Sequence, residues 1–155
     1  MDTNLPKVLY PLGNLPMITR VVKTAQALQA DQIIPVLGYK YELVQSVLKD
    51  EPVEFVLQLE QLGTAHAVLQ CRDLLKNFNG NILILYGDVP LIKVETLENL
   101  LSLHNEMDNQ STILTTDLPN PAGYGRIIRN HDNSLMKIVE EKDATDEELQ
   151  VAEIN

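Results

Sequence analysis

The sequence holds a single cysteine, Cys71, so no internal disulfide can form. It has no apolar run long enough to cross a bilayer, and its amino end is not a charged segment leading into an apolar one. These absences describe a soluble cytoplasmic protein. Basic residues are few: 12 Lys and Arg stand against 22 Asp and Glu, a formal charge of −10, which argues against a nucleic-acid or anionic-membrane surface. Internal repeats and low-complexity segments are absent, and no glycine-rich phosphate loop is present. His66, His104 and His131 are dispersed without metal-ligand spacing, and no serine, histidine and aspartate arrangement stands out. A phosphate-bearing ligand would therefore have to be attracted locally, through a metal, helix amino ends or a few placed cations. At 155 residues the chain fits one domain whose hydrophobic core needs no disulfide or metal to hold it.

What is present is best read from ILILYGDVPL, residues 82–91. Its four opening apolar residues, 82–85, are too few for a helix and are bounded by Gly80-Asn81 and Gly87. They predict a strand buried on both faces, as in parallel sheets covered by helices. Asp88 stands at the carboxyl end, the edge where open α/β sheets place ligands, and a carboxylate there either holds a metal ion or caps the next segment. Gly87 allows close backbone approach, and Pro90 turns the chain away.

Along the chain, residues 1–16 hold Pro6, Pro11, Gly13 and Pro16 and predict a shaped loop. Pro16 suits the first turn of a helix whose apolar face is Met17, Ile18, Val21, Val22, Ala25 and Leu28. A short strand over 33–37 is compromised by Pro35. A helix carrying Tyr41, Val44, Val47 and Leu48 and a strand over 53–57 come next. Gly63 and Thr64 precede a helical run with Ala67, Val68, Leu69, Cys71, Leu74 and Leu75, where Thr64 is placed to cap and the first-turn amides could meet an anion or a carbonyl oxygen. A helix over 94–107, a strand over 111–116, a hairpin of 126–129 and 135–139 around the turn His131-Asp132-Asn133, and a short helix or turn over 144–149 complete the series. Residues 151–155 stop where another strand would begin. The acids from Glu140 to Glu153 predict a solvated face. The alternation predicts a doubly wound, mostly parallel α/β sheet with the hairpin as a later addition. Its first β-α unit has no leading strand.

The blocks LPKVLYPLGNLPMI, VLQLEQLGTAHAV, ILILYGDVPLI, NPAGYGRIIR and IVEEKDATDEELQVAEIN resemble, in order, successive blocks of the bacterial N-acetylglucosamine-1-phosphate uridyltransferases. More narrowly, they resemble the amino-terminal pyrophosphorylase domain of the bifunctional enzymes that also carry a glucosamine-1-phosphate acetyltransferase. The resemblance spans nearly all of the chain, and LYGDVPLI and EQLGTAHA are its most specific parts.

The resemblance implies a nucleotide-diphospho-sugar transferase fold and Mg²⁺-dependent transfer of a uridylyl group from UTP to N-acetylglucosamine 1-phosphate. The products are pyrophosphate and UDP-N-acetylglucosamine, a peptidoglycan and lipopolysaccharide precursor. The attacking phosphate is already ionised, so in-line positioning and charge neutralisation suffice and no general base is needed. By resemblance Lys7 acts on the phosphates. Gln58 reads the uracil edge, since a carboxamide offers both donor and acceptor. Gly63 and Thr64 contact the base, Tyr86, Gly87 and Asp88 line nucleotide and sugar, and Asp88 is a Mg²⁺ ligand. Gly125 offers its amide to the N-acetyl group, while Glu140 and Asn155 hold the sugar. Taken alone, the residues admit plainer alternatives: a surface lysine at Lys7, capping at Gly63 and Thr64, a turn glycine at Gly125 and a solvated acid at Glu140.

The family's opening strand and its glycine-rich loop ending in Gly-Thr-Arg-Met do not appear. By the family's spacing Met1 falls on the methionine of that loop, and Asn4 stands where the family usually has aspartate. These 155 residues are thus expected to form a partial nucleotidyltransferase domain, read from an internal methionine of a longer frame, with the first strand, the carboxyl-terminal part, the second Mg²⁺ ligand and the β-helix acetyltransferase domain all lacking. The missing strand would lie between the strands at 33–37 and 82–85, so the isolated chain is expected to have little stability and no measurable turnover. A homotrimer is expected only of a full-length chain, since the β-helix organises it. The alternatives are a transferase for another sugar 1-phosphate or nucleotide, and a non-catalytic sugar-nucleotide-binding module.

Overall fold

The structure, a computed structural model, describes residues 5–155. The expectations attached to Met1 and Asn4 lie outside the described residues. The chain divides into two compact units, Met1–Glu98 and Asn99–Asn155.

In the first unit Pro6 opens a single 3₁₀ turn, Lys7–Leu9, closed by the Leu9 amide donating to the Pro6 carbonyl at 2.9 Å. That turn sends Leu9 into the core with Val8 packed against it, and leaves Lys7 exposed. A tight hairpin comes after it, β1 (Pro11–Leu12) against β2 (Leu15–Pro16). Pro16 sits immediately before α1 (Met17–Ala27), one position earlier than the first helical turn expected for it. The face predicted from spacing is the buried one, with Ile18, Val21 and Val22 inside and Ala25 and Leu28 half-buried. Arg20 ties the helix to the hairpin by donating from Nε to the Leu12 carbonyl at 2.8 Å.

A β-α-β unit comes next: β3 (Val36–Leu37), α2 (Tyr41–Leu48) and β4 (Val56–Leu57), with β3 and β4 parallel in the register Val36↔Val56. Pro35 has no amide to give, and its carbonyl accepts from Val56 at 3.1 Å, so regular pairing begins only after it. Leu9, Ile18, Val22, Leu37, Val44 and Leu48 form one buried cluster, with Val8, Tyr41, Val53 and Phe55 packed around it. Leu48 is fully enclosed, and burial of such a side chain is worth about 1.5–3 kcal/mol.

The segment 82–85 departs from expectation. It is not assigned to a sheet, and Ile82 and Ile84 are 57% and 53% exposed where a strand buried on both faces was predicted. A strand of this kind needs a neighbour to complete its ladder and a layer over each face, and no strand pairs with it among the described residues. The run after Gly63 also differs. The helix α3 covers only Thr64–Leu69, Gly63 holds the capping position, and Thr64 is the first helical residue, with no side-chain cap bond. The chain beyond it continues as turns, within which Cys71 is buried.

The division between units falls inside α4 (Val94–Glu106), which ends one residue short of the helix expected over 94–107. In the second unit β5 (Thr116–Asp117), β6 (Arg126–Arg129), β7 (Leu135–Val139) and β8 (Glu153–Ile154) make an antiparallel sheet in the order β5-β8-β6-β7. The predicted hairpin of β6 and β7 is present. Its turn is held by Asp132 Oδ1, which accepts from the Ser134 amide at 3.0 Å and the Ser134 hydroxyl at 2.6 Å, and this keeps the Asp132 carboxyl below its usual range. Most of the strand expected over 111–116 is irregular, and pairing starts only at Thr116.

The mixed α/β class results from these elements. Parallel pairing among the described residues is confined to β3 and β4. No helix among the described residues is long and apolar enough to cross a membrane.

Candidate functional site

In the first unit Lys7 and Asp88 come together. Lys7 Nζ lies 2.8 Å from Asp88 Oδ2, with the lysine side chain 75% exposed and the aspartate side chain 34% exposed. Each is presented by a turn. Lys7 leaves the 3₁₀ turn anchored by Leu9, and Asp88 sits in a turn closed by the Val89 amide donating to the Tyr86 carbonyl at 3.1 Å. Gly87 supports that turn for a packing reason: a Cβ there would lie 2.9 Å from Ile18 Cδ1 and 3.3 Å from Val8 Cγ1. Its bare α-carbon therefore faces α1 and the Lys7 turn. The Tyr86 side chain is 47% exposed.

Gln58 comes directly after β4, its amide donating to the Leu37 carbonyl at 2.8 Å. Its carboxamide is half-buried and held on two sides, with Nε2 3.0 Å from the Gly63 carbonyl and 3.1 Å from His66 Nδ1. Gly63 has φ 99° and ψ 177°, a conformation that essentially only glycine adopts. Thr64 is exposed. Gln58, Gly63 and Thr64 thus form one contiguous corner.

In the second unit Gly125 and Asn155 are neighbours. A Cβ on Gly125 would stand 3.5 Å from Asn155 Oδ1, and also 3.5 Å from the Val139 carbonyl and Ile138 Cγ2. Glu140 comes directly after β7 and is exposed. The pairing of Ile154 with both Thr116 and Arg126 carries Asn155 to this place.

Reasoning from sequence missed several residues that hold these groups. Arg126 is a buried cation, 3% exposed, and gives one nitrogen to the Tyr124 carbonyl and another to Glu141 Oε2 at 3.3 Å, while its Nε has no partner among the described residues. Glu141 also accepts from the Gly123 amide, so one carboxylate pins the loop that leads into Gly125. Glu153 is gripped by Arg129 at 2.7 and 2.5 Å and by the Thr115 hydroxyl at 2.7 Å, and these bonds, Arg129 first, pull its carboxyl down from 4.5 to about 2. Lys137, with help from Thr145, likewise lowers the Glu148 carboxyl. The acidic tail was expected to be a solvated face. Glu141, Glu148 and Glu153 are instead structural partners, because each cation they meet lies on β6 or β7, a placement that only the hairpin's pairing creates. The signal available beforehand was the presence of Arg126, Arg129 and Lys137 on those two strands.

Among the described residues no group of three or more His, Cys, Asp and Glu converges on a point. A closed protein cage for a cation is thus not offered. Magnesium, however, commonly takes one or two carboxylates and completes its shell with phosphate oxygens and water, and Asp88 fits that pattern: it is partly exposed, at the end of a turn, and faced by a cation that can move.

Residues 2–152 match the nucleotidyl transferase family. The chain is 48% identical over 155 residues to the bifunctional protein GlmU of Streptococcus agalactiae, covering all of this chain and 34% of that protein. It is 44% identical over 156 residues to the bifunctional protein GlmU of Gloeothece citriformis, covering 35% of it. The chain therefore spans about a third of the length of the curated relatives it matches. Among solved structures it is similar to a UDP-glucose pyrophosphorylase complexed with UDP-glucose, with TM-score 0.69 and 18% identity over 97% of this chain and 65% of that one. It is also similar to HddC from Yersinia pseudotuberculosis complexed with GMP-PN, with TM-score 0.62 and 21% identity over 90% of this chain and 63% of that one. At such identities the likeness speaks for the fold alone.

Proposed function

The chain belongs to the nucleotidyl transferase family, and from that membership we propose that it supplies the nucleotide- and sugar-facing residues for uridylyl transfer from UTP to N-acetylglucosamine 1-phosphate, yielding UDP-N-acetylglucosamine and pyrophosphate. The choice of nucleotide and sugar rests on the EQLGTAHA and LYGDVPLI blocks and on the identity to the GlmU proteins. The observation that carries the reading is the 2.8 Å contact between Lys7 and Asp88. A cation for phosphates and a carboxylate for a metal, far apart in sequence, are brought to one place on an acidic protein.

In this reading Lys7 leaves Asp88 to track the phosphates, since an ammonium on a flexible stem can move with a shifting group. Asp88 would hold Mg²⁺ once Lys7 turns to the phosphates. The ion, when bound, neutralises phosphate charge. Gln58, Gly63 and Thr64 receive the base. Gly125, Glu140 and Asn155 hold the N-acetyl group and hydroxyls of the sugar. The protein's share of catalysis is in-line alignment, because the attacking phosphate needs no base.

Calorimetric titration with UDP-N-acetylglucosamine and magnesium tests the proposal. This chain should bind the sugar nucleotide without turning over UTP and N-acetylglucosamine 1-phosphate, and Asp88→Ala should weaken the magnesium dependence of binding. If the unaltered chain is folded by circular dichroism and still shows no affinity for the sugar nucleotide, the assignment is wrong.

A further inference from the structure

The ring of His66 stands between two carboxamides. Gln58 Nε2 lies 3.1 Å from its Nδ1, and Gln70 Nε2 lies 3.1 Å from its Nε2. Each amide nitrogen is identified by a second partner that can only accept: Gln58 Nε2 donates to the Gly63 carbonyl at 3.0 Å, and Gln70 Nε2 to the His66 carbonyl at 3.1 Å. Both ring nitrogens are thus approached by N–H donors. A neutral imidazole has one bare nitrogen, so it satisfies one of the two at a time. With the proton on Nε2, the bare Nδ1 accepts from Gln58. With the proton on Nδ1, Gln58 loses that partner.

We propose that His66 is a positioning residue for base selection, acting through Gln58; the inference rests on the functional reading above. With the ring proton on Nε2, both N–H groups of the Gln58 carboxamide are spent, one on Gly63 and one on His66. Only Gln58 Oε1 remains to meet a ligand, and it can only accept. A base edge that donates, such as the N3–H of uracil, fits that oxygen. Cytosine places an acceptor at N3, which that oxygen repels, and could use the oxygen only by shifting its exocyclic amine onto it. A free glutamine could turn its amide and offer either group, so the discrimination comes from the Gly63 carbonyl and the histidine, which together stop it turning, at a modest entropic saving for the ligand. His66 has no metal-ligand spacing to the other histidines; its partner lies eight positions before it, directly after β4.

Two replacements separate positioning from mere packing. His66→Asn keeps an oxygen acceptor near the place of Nδ1, whereas His66→Gln reaches toward the place of Nε2 and leaves Nδ1 empty. Calorimetry with UDP and with CDP, in magnesium, reads the outcome on the chain as it stands. The unaltered chain should prefer UDP. His66→Gln should weaken UDP by about tenfold while leaving CDP nearly unchanged, and His66→Asn should restore the preference. Nitrogen-15 shifts of the His66 ring in the UDP complex should show a bare Nδ1 and a protonated Nε2. Equal loss of UDP and CDP in both variants, or a ring protonated at Nδ1, overturns the proposal. Unchanged discrimination in His66→Gln, with UDP still bound, overturns it while leaving the functional reading intact. Failure of the unaltered chain to bind UDP overturns both.

Discussion

Lys7 Nζ and Asp88 Oδ2 stand 2.8 Å apart although 81 positions separate them in sequence. The pair is open to solvent on the lysine side, and exposed ion pairs contribute under about 1 kcal/mol. Its place in the first unit is therefore explained poorly by stability. In the proposed function it keeps a cation and a carboxylate close at hand, each neutralising the other until a phosphate and a divalent ion would take their places.

Lys7→Ala should accordingly leave thermal unfolding almost unchanged, within about 1 kcal/mol. It should also weaken UDP-N-acetylglucosamine binding measurably by removing a charge from the phosphates. Asp88→Asn should have an equally small effect on unfolding and a larger effect on the magnesium dependence of binding. A fall in melting temperature as large as a core truncation produces would mean the pair is structural.

Gly87→Ala adds a methyl group 2.9 Å from Ile18 Cδ1. Overpacking of this size costs about 1–3 kcal/mol. Ile18→Val deletes the very atom that is struck, so Gly87→Ala with Ile18→Val should be more stable than the sum of the two single changes predicts, a coupling readable from denaturant unfolding. Strict additivity would place the strain elsewhere, at Val8 or in the turn itself.

Most helices and the hairpin were legible because each carries its own signal. The periodicity of Ile18, Val21 and Val22 names the buried face of α1, and Asp132-Asn133 names a turn that its own side chain closes. What was not legible depends on partners distant in sequence. Four apolar residues at 82–85 specify a strand only if neighbours flank it, and without a ladder Ile82 and Ile84 lie exposed. The corner at Gly63 was visible as a glycine and threonine before a helix, but only the left-handed φ of 99° shows that glycine, and not Thr64, occupies the capping position. Asp88 stands out from its place after the apolar run, while Lys7, Gly125 and Asn155 are singled out only by resemblance. The paired contacts Lys7 with Asp88 and Gly125 with Asn155 came from the fold.

Gly63→Ala isolates a backbone effect, since a Cβ there meets nothing within 4 Å. The whole cost is conformational, about 1–3 kcal/mol at such φ and ψ. Relaxation of the corner would carry the Gly63 carbonyl away from Gln58, so nucleotide affinity should fall together with stability. Loss of stability with affinity unchanged would detach Gly63 from the base site.

Glu153 ties the second unit's stability to pH. Its carboxyl falls from 4.5 to about 2, chiefly through Arg129 and then Thr115, so the folded form holds its charge more firmly than the unfolded chain does. A group lowered in this way stabilises fully above its unfolded value and loses that contribution as pH falls from about 4.5 toward about 2. Glu153→Gln should lower the melting temperature at neutral pH by about 2–4 °C. The gap from the unaltered chain should narrow on acidification through that window, while the remaining slope reports Asp132 and Glu148, whose carboxyls are lowered as well. Because Glu153 belongs to β8, which delivers Asn155 to Gly125, the same variant should weaken sugar-nucleotide binding at neutral pH without touching any atom of the ligand. A gap that stays constant from pH 7 to pH 2 would show that the Arg129 contact does not hold the strand.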